Sequence, residues 1–185
     1  GQNKTQVGMI FTPEGSTDIK ATYIMENTSS GQIIMGGNDS SGMAVNKMGA
    51  RPLFLINALN TGLIETRGLN NYGIALDLNN LNSASSILNK GIINVKGDKS
   101  GGIVLKGSIG NTDDNVVNKG NINVTSSTSF GIYSNVSDTK YVNEGNIDLT
   151  SAANSIGLRN EGGLLKNGSN GIINLTNGTN NIGLY

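Results

Sequence analysis

Apolar and polar positions along this chain follow a phrase that keeps returning. In Ser86–Lys106, Asn115–Asn135 and Lys140–Asn160 an apolar residue is followed by Asn, any residue, Gly, any residue, Ile, any residue, and then Val or Leu. A polar stretch comes next, and then Gly followed by Ile or Leu. Apolar side chains two apart face the same side of a strand, so each phrase predicts one short strand at Ile-x-(Val/Leu) and a second across the later glycine.

Two glycine series carry the register. The first is Gly31, Gly62, Gly91, Gly120, Gly145 and Gly171, and the second is Gly8, Gly42, Gly73, Gly102, Gly131, Gly157 and Gly183. The step from first to second series is 11 or 12 residues throughout, whereas the step onward falls from 23 to 14 residues along the chain. One part of the repeat therefore has a fixed length and the other takes every insertion. Two residues after the first glycine stand Ile33, Ile64, Ile93, Ile122, Ile147 and Ile173, and two before it stand Asn60, Asn89, Asn118 and Asn143. Around the second glycine, sets such as Tyr72/Ile74/Leu76 and Phe130/Ile132/Ser134 read as one alternating face.

A period of 25 to 34 residues is too long for a hexapeptide β-helix or a nonapeptide β-roll. It predicts an all-β fold, a parallel β-helix with three strands per coil and about six to seven coils. Residues 1–185 are read as a single solenoid segment, with 11–30 and 46–57 as projecting or capping insertions. A single coil orders more backbone than its few aliphatic side chains offset, so stability has to come from stacking. The repeat residues Asn60, Gly62, Ile64, Asn89, Gly91, Ile93, Asn118, Gly120, Ile122, Asn143, Gly145 and Ile147 are accordingly read as structure. The asparagines suit a stack of side-chain amides at a turn. The glycines suit positive φ or close approach of neighbouring coils.

Composition narrows the chemistry. The chain has 27 Gly among 185 residues, no Cys and no His, and 13 basic residues balance 13 acidic ones. The balance gives no polybasic footprint for nucleic acid. No apolar run approaches the roughly 20 residues of a membrane helix. Without Cys or His no disulfide, thiolate or imidazole metal site and no Ser-His-Asp system can be built from these residues, and no cofactor is expected. The first residues lack the charged and apolar regions of a signal peptide, so an export signal is expected elsewhere in a longer protein.

Binding residues are sought on the insertions, because loops confined to one edge of a solenoid form its variable surface. The candidates are Tyr23 and Ile24 in the first insertion and Arg51, Leu53 and Phe54 in the second. Aromatic and aliphatic side chains on such loops suit contact hot spots, and they suit equally a plug over the first coils.

The run Asn118–Tyr133, with its echoes at Ser155–Leu158 and Asn181–Tyr185, resembles the passenger domains of type V autotransporter adhesins, those of fusobacteria above all. The resemblance implies a right-handed β-helix at the bacterial cell surface, anchored through a C-terminal outer-membrane barrel that these residues do not include. It also implies adhesion to a protein or glycan receptor on host cells or other bacteria, or service as the stalk of such an adhesin. Two other functions fit the same fold. One is a polysaccharide-active β-helix enzyme with an Arg or Lys base, to which Arg51, Arg67 and Arg159 are the available arginines. The other is a self-associating biofilm element.

Overall fold

A computed structural model describes residues 6–11, 22–45, 55–77, 86–108 and 114–185. Among them the chain forms strands and turns with no helix, and every strand pairing is parallel. The fold is a parallel β-solenoid.

The strands stack as ladders. After β1 (Val7–Phe11) and β2 (Thr22–Asn27), one six-stranded sheet joins β3 (Gln32–Met35), β6 (Leu63–Thr66), β9 (Ile92–Val95), β12 (Asn121–Val124), β14 (Asn146–Asp148) and β16 (Ile172–Asn174). The strands across the second glycines form another ladder. It runs from β1 through β4 (Ser41–Val45), β7 (Tyr72–Asp77) and β10 (Gly101–Ser108) to β13 (Phe130–Asn143), β15 (Ile156–Asn167) and β17 (Ile182–Leu184). The strands leading into the first glycines make a third: β2, β5 (Leu55–Asn60), β8 (Ser86–Asn89) and β11 (Asp114–Asn118). The second and third ladders merge where the insertion shortens. The 14-residue β13 pairs with β10 through its first half and with β11 through its second. The chain there goes directly from one face to the next, with register shifts at the bend.

The expected rows are present. Ile33, Ile64, Ile93, Ile122, Ile147 and Ile173 are successive register partners, and the four central ones are fully buried. Met35, Thr66, Val95, Val124 and Leu149 lie beside them, also inside. Met43, Ile74, Ile103, Ile132 and Leu158 form the facing row, each with no exposed surface. Each buried aliphatic contributes about 1.5–3 kcal/mol, and the like neighbour above and below keeps the row free of gaps.

Two structural details differ from the sequence reading. Part of the span 11–30 is sheet, because Thr22–Asn27 pairs residue for residue with Leu55–Asn60. The alternating face across the second glycine also breaks. A Cβ on Gly73 would meet Cγ2 of Ile93 in the core, and the next residue, Ile74, is fully buried. Two consecutive inward positions reset the phase, so Tyr72 and Phe130 lie outside while Ile74 and Ile132 lie inside.

Close approach explains the first glycine series. A Cβ on Gly62, Gly91, Gly120 or Gly145 would run into the carbonyl oxygen of the equivalent glycine one layer away. Among the described residues the left-handed positions that are not glycine fall elsewhere, at Asp39, Asn70, Lys99, Thr128, Asn154 and Asn180, with φ between 52° and 56°. Each is three residues before a second-series glycine, so these six layers turn the same corner without using a glycine there.

Candidate functional site: a polar spine and an outer aromatic groove

The repeated asparagines point inward and bond to one another. Nδ2 of Asn27 donates to Oδ1 of Asn60 at 2.7 Å, and the same bond runs from Asn60 to Asn89, Asn89 to Asn118, Asn118 to Asn143 and Asn143 to Asn167 at 2.7–2.8 Å. The second proton of Nδ2 goes to the backbone, as from Asn60 to the Gly62 carbonyl at 3.3 Å and from Asn143 to the Gly145 carbonyl at 3.1 Å. All of these amides but the terminal Asn167 are buried, so each unmade bond among them would be costly, and the ladder makes them all in one sense along the axis. The asparagines of the repeat thus bond one another and the backbone from layer to layer. Sequence reasoning missed the end members Asn27 and Asn167. They stand four residues before Gly31 and Gly171 rather than two, because those turns are longer.

A second polar ladder was also missed. The backbone N–H of Gln6 donates to Oγ of Ser40 and that of Ser40 to Oδ1 of Asn71. Asn71, Ser100, Ser129 and Ser155 continue the pattern onto Ser100, Ser129, Ser155 and Asn181 at 2.9–3.1 Å. The sequence signal is a small polar residue two before each second-series glycine from Gly42 onward. Serine and asparagine alternate in the role, so no single letter repeats.

Of the binding candidates, Ile24 is 73% exposed on β2. Tyr23 lies beside it, its backbone paired with Ile56, but its side chain is outside what the structure describes. Arg51, Leu53 and Phe54 fall outside the described residues altogether. Arg67 and Arg159 belong to different faces. Arg67 follows β6 and bonds Glu65, while Arg159 is in β15 and bonds Glu161. Among the described residues no three His, Cys, Asp or Glu side chains gather as a metal site.

Around Glu65 the charges are structural. Its carboxylate is only 5% exposed, although it lies on the outer side of β6, because the Lys96 and Arg67 side chains close over it. Lys96 Nζ is 2.7 Å from Oε2 and Arg67 Nε is 2.5 Å from Oε1. The bond to Lys96, opposed by burial and helped by Arg67, holds the carboxyl below its ordinary value.

Aromatic rings gather on the outer face of β7, β10, β13 and β15. In register there stand Tyr72, Gly101, Phe130 and Ile156, and beside them Ala75, Val104, Tyr133 and Arg159. Gly101 permits the arrangement: the Phe130 ring occupies the place of its missing side chain. Phe130 thereby reaches across a layer to Tyr72, with ring centroids 6.1 Å apart and planes inclined by 30°. Tyr133 lies 5.7 Å from Phe130 on the other side. The Arg159 guanidinium sits over the Tyr133 ring at 5.5 Å, within cation–π range. Arg159 Nη2 donates to Oε1 of Glu161, and the Tyr133 hydroxyl donates to Oε2 at 2.7 Å.

The charges follow from this geometry. The Tyr133 hydroxyl and then the Arg159 guanidinium hold the Glu161 carboxyl below its usual range. Burial, and then the bond to Glu161, push the Tyr133 phenol up. Two adjoining depressions of about 250 and 180 Å³ follow the rings and share Tyr72, Val104 and Lys106. Ring faces, one aliphatic side chain and a few fixed polar groups are the usual lining of a ligand site. No family model, curated protein or solved structure matches the chain.

Proposed function

We propose that this chain is a surface-exposed segment of an autotransporter passenger, wound as a right-handed coil of three strands per turn through about six to seven coils. It mediates adhesion to host cells or other bacteria and at the same time forms part of the adhesin's rigid stalk. The secretion route, the outer-membrane anchor and the receptor rest on the resemblance of the Asn118–Tyr133 phrase to fusobacterial adhesins; a fold alone does not assign a function. The observation that carries the binding half is the Tyr72–Phe130–Tyr133 groove. The solenoid buries aliphatic rows and needs no aromatic residues on its outside, yet three rings meet there beside an Arg–Glu pair. Clustered Tyr, Phe and Arg are the side chains that dominate contact energies. The stalk half is supported by the two polar ladders, which tie every described layer to the next.

Antibody raised against the folded segment labels intact cells of the producing bacterium, and labelling disappears after external protease. The purified segment coats host or bacterial cells in a saturable manner, and Phe130→Ala lowers coating. Labelling seen only after the cells are broken open rejects surface exposure. Coating equal in wild type and folded Phe130→Ala rejects the groove as the contact.

A further inference from the structure

The groove discriminates among ligands. Its apolar part is made of the half-buried rings of Tyr72, Phe130 and Tyr133 over Val104, and its rim at the Tyr133 end carries a guanidinium and a carboxylate already bonded to each other. That pair is electrically balanced, and Lys106, which lines the groove beside it, adds an ammonium that donates to hydroxyls as readily. Each member also keeps capacity beyond the bonds described above, since a carboxylate accepts at about four lone-pair positions and a guanidinium offers five N–H donors. An apolar peptide side chain would fill the ring surface but take water from Arg159 and Glu161 without replacing it. An anionic group seated at the Tyr133 end would meet Glu161 beside the guanidinium it sought. A neutral sugar ring answers both halves. One face of C–H groups lies against aromatic rings, and neighbouring hydroxyls, each a donor and an acceptor, bond the carboxylate and the guanidinium together.

We infer that the groove binds a neutral carbohydrate, stacked on the exposed parts of Phe130 and Tyr133 with its hydroxyls on Arg159 and Glu161. The inference rests on the adhesive reading above and names the chemical class of its receptor. Glu161 is a surface side chain held by Tyr133 and Arg159, so it can be altered without disturbing the core.

The test is affinity electrophoresis of the purified segment in native gels containing dextran, mannan or galactan, with polygalacturonate as the anionic counterpart. Retardation is expected in at least one neutral gel, weakened about tenfold or more in Phe130→Ala and in Glu161→Ala. Unchanged thermal unfolding of Glu161→Ala shows that the loss is local. No retardation in any neutral gel, retardation by polygalacturonate alone, or retardation of both folded variants equal to that of wild type overturns the inference. Coating of cells before and after periodate oxidation of their glycans separates it from adhesion. Coating that survives periodate and still needs Phe130 overturns the carbohydrate and leaves adhesion standing. Gel retardation without any coating of cells rejects adhesion and leaves the carbohydrate standing.

Discussion

Nδ2 of Asn89 donates to Oδ1 of Asn118 at 2.8 Å, in a row where neither side chain has exposed surface. Removing one amide from the middle of that row orphans a donor on one side and an acceptor on the other, at about 1–3 kcal/mol for each group left unsatisfied. Asn118→Ala is therefore expected to lower the free energy of unfolding by at least that amount, read from urea denaturation. Asn167→Ala removes an exposed end rung and is expected to cost about 1 kcal/mol or less. Equal losses in the two variants would show that the ladder adds nothing beyond local turn bonds.

Thr128 adopts φ 54° at an exposed corner, a conformation that costs an L residue about 1–2 kcal/mol and is worse for a branched side chain. Thr128→Gly is expected to raise stability by about 1 kcal/mol, with the backbone bond from Thr128 N–H to the Ala153 carbonyl kept. A fall in the urea midpoint would mean that the threonine hydroxyl or methyl makes a compensating contact.

Gly102 and Gly36 differ in what a methyl group would meet. At Gly102 it would lie 2.6 Å from Cγ2 of Ile122 and from the Gly131 carbonyl oxygen, whereas at Gly36 nothing lies within 4 Å. Gly102→Ala is expected to destabilise by about 1–3 kcal/mol through overpacking. Gly36→Ala is expected to be neutral or mildly stabilising, through a less flexible unfolded chain. Differential scanning calorimetry of the two variants checks the ordering.

Acid should loosen the fold partly through Glu65. Its carboxyl is held below the ordinary value of 4.5, first by the hydrogen bond to Lys96, so the folded state binds its proton less readily than the unfolded chain does. That stability is fully present above pH 4.5 and disappears as pH falls through the lower folded value. Glu65→Gln is expected to melt earlier than wild type at pH 6, with the gap closing toward pH 3. A gap that stays constant across this range would show that the carboxyl's charge is not what Lys96 and Arg67 stabilise.

The rows of Ile64, Ile93, Ile122 and Ile147 were legible in the sequence because identical residues recur at one distance from a recurring glycine, and stacked layers place them directly over one another. The inward asparagines were legible for the same reason. Asn27 and Asn167 were hidden by turns two residues longer than the others. The Ser40–Asn71–Ser100 ladder was hidden because a hydroxyl and an amide oxygen accept the same backbone proton, so the repeat lies in chemistry rather than in spelling. The groove was hidden for a geometric reason. Simple alternation places Tyr72 and Ile74 on one side, and the double inward step at Gly73 separates them. Variable length points to the insertions as the binding edge, while the rings that meet stand on the strands.

The side-chain bonds of the asparagine row all run one way, with the amide nitrogen of each layer reaching to the oxygen of the layer later in the chain. The serine and asparagine row does the same from the backbone. The rod is therefore vectorial, with a head and a tail that differ chemically even though its cross-section repeats. A coil grafted in from a related solenoid joins only head to tail; turned over, it would set donors against donors at one junction and acceptors against acceptors at the other, in both rows at once.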